Sequence, residues 1–390
     1  KSSITASDFL AKQDFATGST PFLVAMGDLD GDGKSDLVVA NYLSSSVSLY
    51  RNTSTNGNLG SSSFANRVDF TTGLRPIYVS LSDLDGDGKL DIVVANYSAN
   101  TISLLRNTAT NGSIDASSFA AKVDFATGNS PISIAISDLD GDGKQDIAVA
   151  NYYSNTVSLF RNIAITGSLT TASFIVKEDF VTGSNPNSVA VSDLDGDGKT
   201  DLAVANKNSN SVSVFRNTTI AGTINSSSFE VKQDFTTDLA PVSVSVGDLD
   251  GDGKIDVVVS NASSNVVTVY RNLSISGVVS FDTANKFNLI TGTTPVSTLV
   301  GDIDGDGRPD IVVVNQGNNT VSIFRNQQPI SGTMSFAAKQ DILVGTLPTC
   351  LVLGDLNKDG LVDIVVSNAG SSNVSVLRNQ SIVGSFSFAR

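Results

Sequence analysis

Apolar positions along the chain follow two rhythms in turn. Ile132, Ile134 and Ile136 alternate with small or polar residues, the pattern of a half-buried β-strand. Ile147-Ala148-Val149-Ala150 is then apolar at every position, as in a strand covered on both faces. Val157 and Leu159 alternate with Thr156 and Ser158, and a fourth strand is expected to contain Phe174 and Phe180 before Gly183 and Pro186 turn the chain back. No stretch carries a 3.6-residue period of helical length.

This unit recurs seven times. The string DLDGDGKSD begins at Asp28, and close copies begin at Asp83, Asp138, Asp193, Asp248, Asp302 and Asp355, a spacing of 53 to 55 residues. A Pro precedes each copy (Pro21 in the first), an Asn closes the following apolar run (Asn41), and an Arg-Asn pair comes after it (Arg51-Asn52). Four antiparallel strands repeated seven times predict an all-β, seven-bladed β-propeller spanning residues 1–390 as one domain. The phase of the ends supports a closed ring over an open solenoid, which would need capping units. Residues 8–18 read as a fourth strand with no preceding three, and a fourth strand would be starting at Ser387-Phe388-Ala389-Arg390. The N-terminal strand is therefore expected to complete blade seven.

The loops at 28–36, 83–91, 138–146, 193–201, 248–256, 302–310 and 355–363 share the form Asp-x-Asp-x-Asp-Gly-x-x-Asp. Their side-chain oxygens come from Asp28, Asp30, Asp32 and Asp36; Asp83, Asp85, Asp87 and Asp91; Asp138, Asp140, Asp142 and Asp146; Asp193, Asp195, Asp197 and Asp201; Asp248, Asp250, Asp252 and Asp256; Asp302, Asp304, Asp306 and Asp310; and Asp355, Asn357, Asp359 and Asp363. Carboxylates on alternate residues of a tight loop can converge on one hard cation, and calcium takes six to eight oxygens. The seventh position is expected to give a backbone carbonyl, so its side chain is free to vary: Lys34, Lys89, Lys144, Lys199, Lys254, Arg308 and Leu361. An EF-hand is excluded, because position 12 is Val in every loop (Val39 in the first) where that motif needs a bidentate Glu between helices.

Charge sharpens this picture. The loops hold 27 of the chain's 39 acids, and about seven calcium ions would bring the formal charge of −14 to zero. Unneutralised, the clustered carboxylates would repel one another. The acidity argues against nucleic acid and anionic membranes as partners, and no apolar run approaches a transmembrane span. There is no His, so Ser-His-Asp triads, Cys-His pairs and His-ligated zinc are excluded, and one Cys (Cys350) rules out an internal disulfide. A start at Lys1 is expected of a mature product or a fragment. Calcium-dependent stability would be lost in a cytosol poor in free calcium, so an extracellular or cell-surface location is expected.

At these residues the chain resembles the FG-GAP/VCBS repeat family, in which integrin-α propellers and many bacterial secreted and surface proteins fall. The stretch VSDLDGDGKTDLAVAN at 191–206 carries the resemblance. It implies that each acidic loop joins the first two strands of a blade and binds calcium. The literal Phe-Gly and Gly-Ala-Pro motifs of integrin repeats are absent, and the uniform loops look more like the bacterial branch.

The resemblance also implies ligand binding on the face opposite the loops or in the central channel. The turns expected there hold Tyr42, Tyr97, Tyr152 and Tyr153 in blades one to three and Lys207 in blade four, and Arg75 lies in a neighbouring link. Tyr with Ser and Asn suits glycan or protein recognition. The seven Arg of the Arg-Asn pairs are expected to bond carbonyls or acids between blades. The expected function is a calcium-stabilised adhesion or ligand-recognition module taking a protein or glycan. A lectin-like carbohydrate binder is the first alternative, and a polysaccharide lyase or hydrolase the second.

Overall fold

A computed structural model describes residues 6–55, 57–328 and 330–381. The chain forms seven four-stranded antiparallel sheets. Blade one runs through Pro21–Gly27, Asp36–Asn41, Ser46–Tyr50 and Val68–Thr71, each strand paired with the next. The other blades repeat this order. A three-residue 3-10 turn at Ala6–Asp8 is the one helical element among the described residues.

The ring closes as the phase of the sequence predicts. Gln13–Ala16 pairs with Asn373–Leu377 and becomes the outer strand of blade seven. Ser375 Oγ donates to Asp14 Oδ1 at 2.6 Å across this joint. The expectation for Ser387–Arg390 lies outside the described residues.

The second strands are buried at every position in all seven blades, which explains their unbroken apolar runs. Each hydrophobic cluster joins two neighbouring blades. One contains Val93 and Ile102 of blade two with Ile134 and Val149 of blade three. Another, at the seam, contains Val24 and Val39 of blade one with Val365 and Val374 of blade seven. The core therefore lies between the sheets.

The fourth strands are shorter than the pattern suggests. In blade three the strand is Glu178–Val181, so Phe180 belongs to it and Phe174 does not. Phe174 instead makes an isolated bridge to Asn162 and meets Phe125 of blade two edge-on, 5.4 Å between centroids. The six-residue Phe spacing thus serves inter-blade packing: Phe180 in turn meets Phe229 of blade four.

The Asn of each Arg-Asn pair fastens one blade to the one before it. Asn107, fully buried, donates its amide to Leu29 O of blade one at 2.8 Å and to Leu90 O of its own blade at 3.0 Å. All seven Asn make this bond, from Asn52 to Leu356 O across the seam round to Asn379 to Ile303 O.

Two outcomes follow. Asn107→Ala leaves the buried Leu29 carbonyl and the half-buried Leu90 carbonyl without this donor and is expected to destabilise the fold by about 2–4 kcal/mol in a denaturant titration. Removal of residues 1–18 bares the edge at Asn373–Leu377, and the truncated chain is expected to unfold at lower temperature and to self-associate in sedimentation.

Candidate functional site

Each acidic loop joins the first and second strands at one end of its blade, and its fold follows from the Asp spacing. In blade one Gly31 N–H and Gly33 N–H donate to the two oxygens of Asp28 at 2.8 and 2.7 Å. Both glycines have positive φ, 70° and 80°, where a Cβ is costly. Asp32 N–H and Lys34 N–H donate to Asp30 Oδ1 and Asp32 Oδ1. Asp36 closes the loop, fully buried, with Oδ2 taking Leu29 N–H at 3.0 Å and Oδ1 taking Asn52 N–H at 2.7 Å.

In the loops of blades one to five, three of the sequence-predicted acids come together. Oxygens of Asp28, Asp30 and Asp32 lie within 4.8 Å of one another, as do those of Asp83, Asp85 and Asp91 in blade two. That spacing is of the order of twice a calcium–oxygen distance of about 2.4 Å, which leaves room for one ion among the three. The donors are all oxygens, which suits a hard cation. Burial, helped by the charges of Asp30 and Asp32 and opposed by its backbone donors, pushes the Asp36 carboxyl up to about 7. Its counterparts Asp91, Asp146, Asp256, Asp310 and Asp363 also lie near 7, and Asp201 near 6. Asp248 Oδ1 is buried with no hydrogen-bond partner among the described residues. A cation would satisfy that oxygen and reverse the repulsion. The residues fit a divalent ion.

Sequence reasoning missed the Arg role. Arg51 Nε pairs with Asp30, and Arg51 Nη2 with Asp32 at 2.8 Å, inside its own blade. Arg106, Arg161, Arg216, Arg271 and Arg325 repeat this clamp. The bonds go to acids, as expected, but they do not cross between blades. The third strand ends beside the loop of the same sheet, and only three-dimensional register reveals that. Blade seven differs. Asn357 replaces the second Asp, and among the described residues Arg378 reaches only Asp359, at 3.4 Å, with its Nε buried and without a partner.

On the opposite end of the blades the turns between second and third strands meet the links from the fourth. Each turn holds to its link through the backbone, as Tyr42 N–H does to Thr20 O at 2.9 Å. Arg75, Ser130 and their equivalents before each Pro have φ of 48–57°. The conformation recurs in every blade, so it is architectural, and it makes this face a stiff platform.

The aromatic residues of this face form an arc. Phe22 and Tyr42 lie 5.9 Å apart between centroids, Tyr42 and Tyr97 6.4 Å, and Tyr97 and Tyr153 6.4 Å. Tyr152 meets Tyr153 edge-on at 5.0 Å and also lines the cavity. Arg75 stacks over Tyr42, with Cζ 5.4 Å from the ring centre. Burial pushes the Tyr97 hydroxyl up to about 12. Phe22 was not anticipated, because it sits on a strand and not in a turn.

The arc rims a central cavity of about 750 Å³ lined by the first strands of all seven blades. At one level the wall reads Leu23, Tyr78, Ser133, Ser188, Ser243, Ser297 and Cys350, blade by blade. Tyr78 is the one aromatic there, and burial pushes its hydroxyl up to about 12. Ser297 Oγ donates to Cys350 Sγ at 3.8 Å. The cavity is thus apolar and aromatic towards blades one, two and seven, and hydroxyl-lined towards blades three to six. Among its described lining residues the only charged side chain is Lys207.

The chain is similar to solved propellers at low identity. BBS1N, in a complex with ARL6DN, shares 13% identity at a TM-score of 0.62, over 95% of this chain and 97% of that one. Virginiamycin B lyase from Staphylococcus aureus shares 12% at 0.58, over 94% and 98%. A putative 6-phosphogluconolactonase from Bacteroides fragilis shares 16% at 0.54, over 86% and 98%. These likenesses show the fold alone. No curated protein matches the chain. The FG-GAP-like repeat matches six overlapping stretches, 28–94, 83–149, 138–204, 193–259, 248–313 and 302–366, each running from one acidic loop into the second strand of the next blade. With most of its length so covered, and every match anchored on the loop that clamps Arg against Asp, the chain belongs to the FG-GAP-like repeat family.

Proposed function

We propose that this protein is a non-catalytic recognition module of the cell exterior, an adhesion-type propeller whose acidic loops hold structural calcium. It would bind its partner on the face away from those loops. The observation that carries this reading is the arc of Tyr42, Tyr97 and Tyr153 at the mouth of the channel. In a sevenfold repeat, three of seven equivalent turns carry these large amphipathic rings, and Tyr153 is mostly exposed. Rigid aromatic area with a hydroxyl at its tip costs little entropy to use in binding.

Other observations support parts of this reading. The cavity lining has no carboxylate among the described residues, so it offers no acid–base pair for cleaving a polysaccharide. That favours recognition over the lyase or hydrolase alternative, although the likeness to virginiamycin B lyase makes an enzyme propeller a natural comparison. The BBS1N neighbour is in a complex with a protein, which supports a propeller in that role. The lectin-like alternative draws on the hydroxyl-lined half of the cavity beside the Tyr rings.

The loop carboxylates, from Asp28 to Asp363, would hold about seven calcium ions, with Asp36 and its equivalents closing each loop. The ion would supply charge neutralisation and nothing to a reaction. Leu29 and Asp30 bond through their carbonyls to Asn107 and Gly112 of the next blade, so ordering the loop orders the contact between blades. At millimolar free calcium and a dissociation constant near 0.1 mM, each site would add roughly 1.4 kcal/mol.

Chelation is expected to lower the melting temperature by on the order of 10 °C. Calcium should restore it better than magnesium, whose octahedral demand fits this loop poorly. An EDTA-treated protein that melts where the native one does would refute structural calcium. Tyr97→Ala combined with Tyr153→Ala is expected to abolish ligand capture on glycan and matrix-protein arrays while lowering the melting temperature by only a few degrees, and Tyr153→Ala alone, at an exposed ring, to weaken capture with no such shift. Retained capture would reject the arc as the site.

A further inference from the structure

The charge of this protein is distributed along the axis of the wheel. The net charge is −14, and 27 of the 39 acids lie in the loops at one end. At the other end, the turns 42–45, 97–100, 152–155, 207–210, 262–265, 316–319 and 369–372, with the links before each first-strand Pro, hold three charged residues: Arg75, Lys207 and Asp238. Asp238 is already neutralised by Lys286 at 2.9 Å and takes the Thr268 hydroxyl at 3.0 Å. Arg75 and Lys207 have no carboxylate partner among the described residues. Arg75 lies on Tyr42 and donates to its hydroxyl.

The two cations flank the arc. Arg75 covers its Tyr42 end, and Lys207 holds in blade four the position that Tyr152 holds in blade three. Lys207 is half-buried and is the sole charged side chain of the described cavity lining. A protein so acidic that leaves two cations unpaired beside aromatic rings presents a local positive field.

The wall below adds hydrogen-bond donors. Ser133, Ser188 and Ser243 each accept a backbone N–H of the next blade, from Val189, Val244 and Thr298 at 3.2 Å. With an oxygen lone pair so used, the hydroxyl of Ser188 or Ser243 is left to donate into the cavity. Donors, cations and flat rings with no carboxylate suit a ligand rich in acceptors.

Resting on the recognition reading above, we propose that the channel mouth binds an anionic glycan. Its sugar rings lie on Tyr97 and Tyr153, its hydroxyls accept from the wall serines, and a carboxylate or sulfate pairs with Lys207 and with the Arg75 that covers Tyr42. Lys207 is the specificity-determining residue, because it alone brings charge into the cavity.

Dextran, carboxymethyl-dextran and dextran sulfate share one backbone and differ in charge, and poly-glutamate carries charge without sugar. Titrated calorimetrically into the intact protein in calcium buffer, a charged dextran should bind at least ten-fold tighter than dextran and ten-fold tighter than poly-glutamate. Lys207→Ala should weaken that binding at least five-fold and flatten its salt dependence, Lys207→Arg should retain it, and neither should move the melting temperature. The arm that responds, carboxymethyl or sulfate, tells which anion the site takes. The proposal is overturned if no charged dextran binds, if dextran or poly-glutamate binds as well, or if Lys207→Ala leaves the affinity unchanged. Array capture that depends on Tyr97 and Tyr153, with no response to any dextran, would overturn the anionic-glycan proposal and leave the recognition reading standing.

Discussion

The acidic loop is the fastening between blades, and the rest of the ring depends on it. Asp36 holds the loop closed by accepting Leu29 N–H and Asn52 N–H. The same Leu29 offers its carbonyl to Asn107 of the next blade, and Asp30 offers its carbonyl to Gly112 N–H at 2.9 Å. Leu29 also buries its side chain in the cluster shared with blade two. So a short run of residues gathers carboxylates, closes a turn and carries the polar and apolar contacts to a neighbour. Four carboxylates crowded into that run repel one another, and one guanidinium offsets only part of the charge. Whatever neutralises the remainder stabilises the interface between blades as well as the loop.

This division of labour leaves the far face free. Its turns need only to be stiff, and backbone bonds to the links provide that without prescribing side chains. Asn96 Oδ1 takes Gly73 N–H at 3.0 Å there, and a Cβ on Gly73 would stand 2.6 Å from Asn96 Cγ. Six blades keep glycine at this link position and blade five has Asp238, whereas the residue after each second-strand Asn reads Tyr, Tyr, Tyr, Lys, Ala, Gln, Ala round the ring. A scaffold that is rigid and tolerant at the same place is what a binding surface requires.

Much of this was legible in the sequence because the determinants are local. Strand alternation, the Gly after the third Asp and the seven-copy phase each follow from backbone rules within a few residues. The loop acids were found for the same reason. What escaped were features set by register between distant segments. Phe174 looks like part of a strand with Phe180, yet packs on Phe125 of another blade. Arg51 looks like an inter-blade bond, yet clamps Asp30 and Asp32, about twenty residues back in its own sheet. Tyr152 and Tyr153 are neighbours in sequence, but only Tyr153 joins Tyr97 in the arc. Tyr78 is one of many alternating strand residues until seven first strands are brought around one axis.

Departures from the repeat separate architecture from use. Positions that fasten blades hardly vary: the cross-blade Asn is present seven times and the closing Asp seven times. One departure falls at the seam, where Asn357 and the positive-φ Lys358 occupy the loop of blade seven and Asn357 O takes Gly57 N–H of blade one at 2.8 Å. There Arg378 loses the second carboxylate its counterparts pair with, so among the described residues the clamp on that loop is a single contact to Asp359 at 3.4 Å. Several other departures stand round the channel mouth, at Tyr42, Tyr97, Tyr153 and Lys207 above and at Leu23, Tyr78 and Cys350 in the wall, while blade five carries its own at Asp238 and Asn288. The rings of Tyr42, Tyr78 and Tyr97 also pack against the apolar cluster between blades two and three, so they serve the fastening of the blades as well as the channel mouth. Tyr153, mostly exposed, and Lys207, the one charge of the described cavity lining, are the departures that packing between blades explains least.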